Sequence, residues 1–112
     1  MKTSSAKAKG RRLQQWFRDK LIETLDVHSD NVRSVAMGQS GEDILLSYEA
    51  RQKFPFSVEC KNQEKLNIWS SLEQAETNSG KHTPLLIFKR NRTKTYAVLE
   101  FDKLLELLDE SK

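Results

Sequence analysis

The chain changes the period of its hydrophobic positions several times, and each change marks an element. Leu13, Trp16, Phe17, Leu21 and Leu25 recur at three- and four-residue steps, which predicts a helix from about Lys9 with one apolar face. The polar cluster His28 to Asn31 ends it. Val32 to Ala36 reads as a short strand, Met37 to Gly41 as a loop with two glycines, and Ile44 to Leu46 as a second strand. A polar turn through Tyr48–Lys53 leads to a third strand, Phe54 to Cys60, rich in aromatic and β-branched residues. Asn67 is placed to cap a helix whose expected buried stripe is Ile68, Trp69, Leu72 and Ala75, and Asn78-Ser79-Gly80 stops it. Pro84 opens the continuous apolar run Leu85 to Phe88, which suits a strand buried on both faces. Asn91 to Thr93 turns the chain into a strand over Thr95–Phe101, and Asp102 caps a last helix carrying Leu104, Leu105, Leu107 and Leu108. The expected order is α-β-β-β-α-β-β-α, an α/β domain with one parallel, right-handed strand–helix–strand crossover. Trp16 and Phe17 are expected in the core, and Trp69 in the core or a subunit interface.

A chain of 112 residues supports one core. Residues 1–8 are expected to form a flexible basic tail and residues 9–112 a single domain. With 37% hydrophobic and 31% charged residues the composition is that of a polar globular protein. No apolar run is long enough to span a bilayer, and no charged start precedes an apolar stretch, so a cytoplasmic location is expected. The single cysteine, Cys60, cannot close an internal disulfide and fits a reducing compartment. Two histidines, His28 and His82, leave no His/Cys cluster for zinc.

Charge alters this picture because it is uneven. Residues 1–20 hold seven Lys or Arg against the single Asp19, and residues 81–94 hold five more with no acid. Residues 100–112 instead hold five acids against Lys103 and Lys112. Two basic blocks on a small domain point to a polyanion, nucleic acid before membrane, against the plainer alternative of solvated faces.

The candidate chemistry lies in Gly41-Glu42-Asp43-Ile44 and Val58-Glu59-Cys60-Lys61. Strand alternation puts Glu59 and Lys61 on one face and Val58 and Cys60 on the other, where they suit the core. A buried carboxylate and ammonium need a partner or a task. Asp43, at the start of a neighbouring strand, could reach the same point. Two carboxylates there would repel, and a hard divalent cation would relieve the repulsion by taking oxygen ligands from both. Lys61 could then orient a water or stabilise developing negative charge, an arrangement suited to hydrolysis of a phosphodiester. The alternative is an ordinary edge-strand charge pair beside a turn aspartate.

Over roughly residues 9–101 the chain resembles the PD-(D/E)xK nuclease superfamily, most closely the small archaeal-type Holliday-junction resolvases. The likeness runs through Lys9-Gly10 opening the first helix, Arg33-Ser34-Val35-Ala36 before a Gly/Ser loop, Gly41-Glu42-Asp43-Ile44 and Val58-Glu59-Cys60-Lys61. It continues through polar Asn62–Lys65 into a helix and the strand Pro84–Lys89. The resemblance implies a restriction-endonuclease-like central mixed β-sheet flanked by helices, usually in a homodimer. It implies that Asp43, Glu59 and the backbone carbonyl of Cys60 bind Mg²⁺, with Mn²⁺ able to substitute, and that Lys61 positions the water. Where the resolvases carry a glutamate four residues after the glycine of the first helix, this chain has Gln14, which can contact a metal-bound water but brings no charge. Other branches use a glutamine on the helix after the E-x-K strand, and Gln74 is the residue available here.

Arg90, Arg92 and Lys94 at a hairpin tip, and Lys9, Arg11 and Arg12 on the first helix, are the expected DNA contacts, since guanidinium forks match phosphate oxygens. The expectation is thus a Mg²⁺-dependent endodeoxyribonuclease acting on branched or structured DNA, with no small-molecule cofactor and no membrane partner. Its rival is a non-catalytic nucleic-acid-binding module with a vestigial nuclease site.

Overall fold

The computed structural model describes residues 3–35 and 41–109. Helix α1 (Thr3–Leu25) begins well before the expected Lys9, so the basic start of the chain is helical from Thr3 onward. Its buried face is Gly10, Leu13, Gln14, Phe17 and Leu21. That stripe, at steps of three and four from Gly10, leaves Trp16 at its rim, 47% exposed rather than in the core.

A single 3₁₀ turn (Ser29–Asn31) leads into β1 (Val32–Ser34), which pairs antiparallel with β2 (Ile44–Leu46). The expected end of the first strand at Ala36 and the Met37–Ser40 part of the glycine loop lie outside the described residues. The segment Tyr48–Lys53, expected as a turn, is a helix, α2. Ser47 starts it, its hydroxyl accepting from the Ala50 N–H at 3.1 Å, and Ala50 is its one buried residue. A helix this short with one buried position leaves no periodic signature, which is why its polar sequence reads as a turn.

β3 (Phe56–Asn62) pairs parallel with β4 (Thr83–Lys89), and β5 (Tyr96–Val98) runs antiparallel on β4's other edge. α3 (Ile68–Ser79) makes the crossover between the parallel strands and packs on both. Asn67 caps it, Oδ1 accepting from the Ser70 N–H at 3.0 Å, and Gly80 ends it at φ +57°. The face it buries is Ser71, Ala75 and Ser79, not the expected Ile68–Trp69–Leu72–Ala75 stripe. Small side chains let the helix lie close to the sheet, and Trp69 is left 80% exposed. The element order is therefore α-β-β-α-β-α-β-β-α, mixed α/β as expected but with one helix more. The sheet is two sheets, β1–β2 and β3–β4–β5, bridged by the Asp43 N–H donating to the Val58 carbonyl at 3.0 Å.

The core lies between α1 and the sheet: Leu13, Phe17 and Leu21 meet Val32, Ile44, Val58, Cys60, Leu85 and Ile87. Ile44 and Leu86 are fully buried, each side chain contributing about 1.5–3 kcal/mol of transfer free energy. α4 (Phe101–Leu108) starts a residue ahead of the expected Asp102 cap and buries none of its residues.

Candidate active site

The β3 edge away from β4 carries the site. Val58 and Cys60 direct their backbone groups to this edge: the Val58 carbonyl accepts from Asp43 N–H, and the Cys60 N–H donates to Asp43 Oδ2 at 2.7 Å. N–H and C=O of one strand residue point to the same side, so the Cys60 carbonyl faces this edge too. Asp43 is itself tied into β1 through its carbonyl, which accepts from Val35 N–H at 2.9 Å. The preceding residue is held as firmly: Glu42 is clamped by both oxygens to Arg51 at 3.2 and 3.0 Å, while the same guanidinium donates to the Phe56 carbonyl. α2, unexpected from the pattern, thus anchors the approach to Asp43.

Glu59 is only 3% exposed, the more deeply buried of the site's charged groups. Its Oε1 accepts from Asn78 Nδ2 at 3.3 Å and its Oε2 lies 3.8 Å from Lys61 Nζ. Burial first, and then the charge of Asp43, push its carboxyl up to about 7, while Asn78 and Lys61 pull the other way. Burial also raises Asp43, opposed by the Cys60 N–H and Lys61. The two carboxyls are close enough to act on each other, the charge of Asp43 raising Glu59. Burial, followed by the two carboxylates, raises the Cys60 thiol, which packs into the core as its strand parity predicts.

The donor set suits a hard cation. Two carboxylates and a strand carbonyl face one edge, and burial raises both acids, a cost that a divalent cation would relieve. Among the described residues no cluster of three His, Cys, Asp or Glu side chains exists, so the third protein ligand would be the Cys60 carbonyl.

Gln14 is buried on α1 and its Oε1 accepts from the Ser34 hydroxyl at 2.9 Å; Ser34 is the register partner of Ile44, next to Asp43. Gln74 is exposed, and the α3 residue that reaches the site is Asn78, one turn further on. Asn78 is masked in the sequence by the helix-stop run it begins, but with Ser71 and Ala75 it completes a seven-residue helical spacing on the sheet side.

Of the expected DNA contacts, Arg11, Arg12, Arg90, Arg92 and Lys94 are exposed. Lys9 is not: it lies on the buried side of α1, 6% exposed, with Nζ 3.4 Å from Glu64 Oε2 and its carbonyl accepting from Asn62 Nδ2. Glu64, lowered by the Asn91 N–H that donates to it, ties the hairpin tip to α1. Arg92 takes the left-handed conformation at φ +65°, and Thr93 closes the turn by accepting from Arg90 N–H at 3.1 Å.

No helix among the described residues is long and apolar enough to cross a membrane. No curated protein and no solved structure matches the chain. A family model does, over residues 5–112, under the description "Phage putative PDDEXK endonuclease". That match takes in α1, the Asp43 turn, the Glu59–Lys61 strand and the crossover helix, and so the chain belongs to this PD-(D/E)xK family.

Proposed function

We propose that the chain is a Mg²⁺-dependent endodeoxyribonuclease that hydrolyses phosphodiester bonds in branched or otherwise structured DNA. One observation carries the chemistry: Asp43 and Glu59 come together beside Lys61 at the β3 edge, where burial raises both carboxyls. A divalent ion bound there supplies electrostatic activation of the phosphate and of a water. Asp43 and Glu59 would hold it, with the Cys60 carbonyl. The Cys60 N–H fixes the Asp43 carboxylate through Oδ2. Asn78 fixes the Glu59 carboxylate in the same way. Lys61, partly exposed, directs its ammonium to the attacking water or to the charge developing on the phosphate. The resemblance to the superfamily supports 5′-phosphate and 3′-hydroxyl products.

The preference for branched DNA and a homodimeric state rest on the likeness to junction resolvases. The uncovered apolar face of α4, with Phe101 66% and Leu108 73% exposed, is where a second copy would seat, and a dimer in sedimentation at micromolar concentration is expected. Incubation of the chain with four-way-junction, duplex and single-stranded DNA, in Mg²⁺ and in EDTA, tests the activity. Cleavage in Mg²⁺ alone is expected. Binding without cleavage of any of the three would contradict the catalytic reading and favour a non-catalytic module, to which the uncharged Gln14 is equally suited.

A further inference from the structure

The β5 edge of the β3–β4–β5 sheet, opposite the edge at Asp43, carries a surface the catalytic reading does not use. Trp16 and Tyr96 are 47% and 54% exposed. Trp16 lines one cleft with Arg11, Arg12 and Lys89, and a second with Lys20 and Tyr96. Tyr96 lines a third with Phe88, Lys89 and Arg90. The clefts share Trp16, Lys89 and Tyr96, and so they meet as a band around the exposed edge of β5, with Trp16 on the α1 face of the sheet and Tyr96, beside its register partner Phe88, on the α3 face. Both rings are held: Lys20 Nζ sits 5.8 Å from the Trp16 ring centroid, and Tyr96 packs on Phe88 at 5.9 Å and 33°.

We propose that this band binds a single strand of DNA, its bases stacking on Trp16 and Tyr96 and its phosphates meeting the flanking cations. The inference rests on the reading of the chain as a DNA-acting protein and adds a second contact surface to it. Two acids line the band, and both are engaged: Asp19 with Arg18, and Glu64 with Lys9 and the Asn91 N–H. Among the described residues Arg11, Arg12, Lys89 and Arg90 form no close ion pair; Arg11 and Arg12 stand exposed, Lys89 is half-buried, and Arg90 is partly offset by Glu64. Exposed ring faces interleaved with cations fit unpaired bases, because a duplex hides its base faces and an acidic peptide has no flat rings to stack. Two strand spacings, roughly 10 Å, separate β5 from β3. A strand on the band therefore leaves the Asp43–Glu59 edge free for another part of the same branched molecule.

The test is titration with an oligodeoxythymidylate of roughly 12 nucleotides in EDTA. Trp69→Phe makes Trp16 the sole tryptophan reporter, and its emission should be quenched on binding. By anisotropy of the labelled oligonucleotide, Trp16→Ala and Tyr96→Ala should each weaken binding by about fivefold or more, with duplex affinity changed by less than about twofold. Trp16→Phe, which keeps a ring, should bind more tightly than Trp16→Ala and guards against a folding effect. Unquenched Trp16 emission at saturating oligonucleotide would overturn the proposal. So would parent-like binding by both alanine variants, or polyglutamate binding as tightly as the oligonucleotide. Loss of the band's binding with cleavage intact, and loss of cleavage with the band's binding intact, separate failure of this inference from failure of the nuclease reading.

Discussion

The two edges of the β3–β4–β5 sheet are built on opposite principles. At the β3 edge the charged groups are acids, sunk among backbone donors and the Asn78 amide, with Glu59 3% exposed. Around the β5 edge cations outnumber the two acids, Asp19 and Glu64, and most stand in solvent beside half-exposed rings. Burial makes the first edge electrostatically demanding, since desolvation pushes both carboxyls up until a proton or a metal ion satisfies them. Exposure makes the second edge undemanding in the free protein and responsive to a polyanion, with an attraction that salt screens. Chemistry belongs at the edge where charge is costly to keep, and affinity at the edge where it is not.

The largest expected effect separates the two edges outright. Lys61→Met should reduce Mg²⁺-dependent cleavage by roughly 10²-fold or more while leaving DNA binding in place, measured as initial cleavage rate against affinity in EDTA. Loss of both together would show that the edges are not independent. Asn78→Ala, which frees one Glu59 oxygen, should weaken metal affinity or activity by about 10–100-fold, and Asn78→Asp should not restore it because it adds a third acid. Metal titration of the variants reads this directly.

Acidity gives a prediction confined to the β3 edge. The Glu59 carboxyl, near 7 in the folded protein against its ordinary 4.5, binds a proton more tightly folded than unfolded. Its contribution to stability in EDTA is therefore full below about pH 4.5 and lost as pH rises through about 7. Relative to Glu59→Gln, the parent's melting temperature should fall over that window, and Mg²⁺ should restore it most at the alkaline end. A parallel pH response in the two proteins would place Glu59 in an ordinary solvated setting. The smallest effect belongs to the hairpin: Arg90→Ala with Arg92→Ala should lower the salt slope of DNA binding by roughly one unit per lost phosphate contact, with cleavage chemistry unaltered at saturating DNA.

Much of this architecture was legible in the chain. Asn67 and Gly80 bracket α3 as their types dictate, the run after Pro84 forms the buried strand, and the parallel crossover follows from the order of elements. The convergence of Asp43, Glu59 and Lys61 could be read because strand parity is local and the acid at the neighbouring strand's start has one place to go. What escaped depends on tertiary contacts. Trp16 and Lys9 exchange their expected places because the α1 face that meets the sheet is centred on Gly10 and Gln14, an orientation set by the sheet. Asn78 reaches Glu59 only because small residues bring α3 close to β3. The leucines of α4 mark the helix in the sequence, but what covers them does not follow from their spacing, and in the single chain they are left exposed.

The central claim is that Asp43 and Glu59 together hold the ion that makes cleavage possible. Calorimetric titration of Mg²⁺ and Mn²⁺ into the parent, Asp43→Asn and Glu59→Gln tests it most directly, with cleavage followed on the same samples. The account predicts one saturable site in the parent, its loss in both variants, and loss of cleavage with it. Parent-like metal binding in either variant, or cleavage that persists without it, would contradict the account.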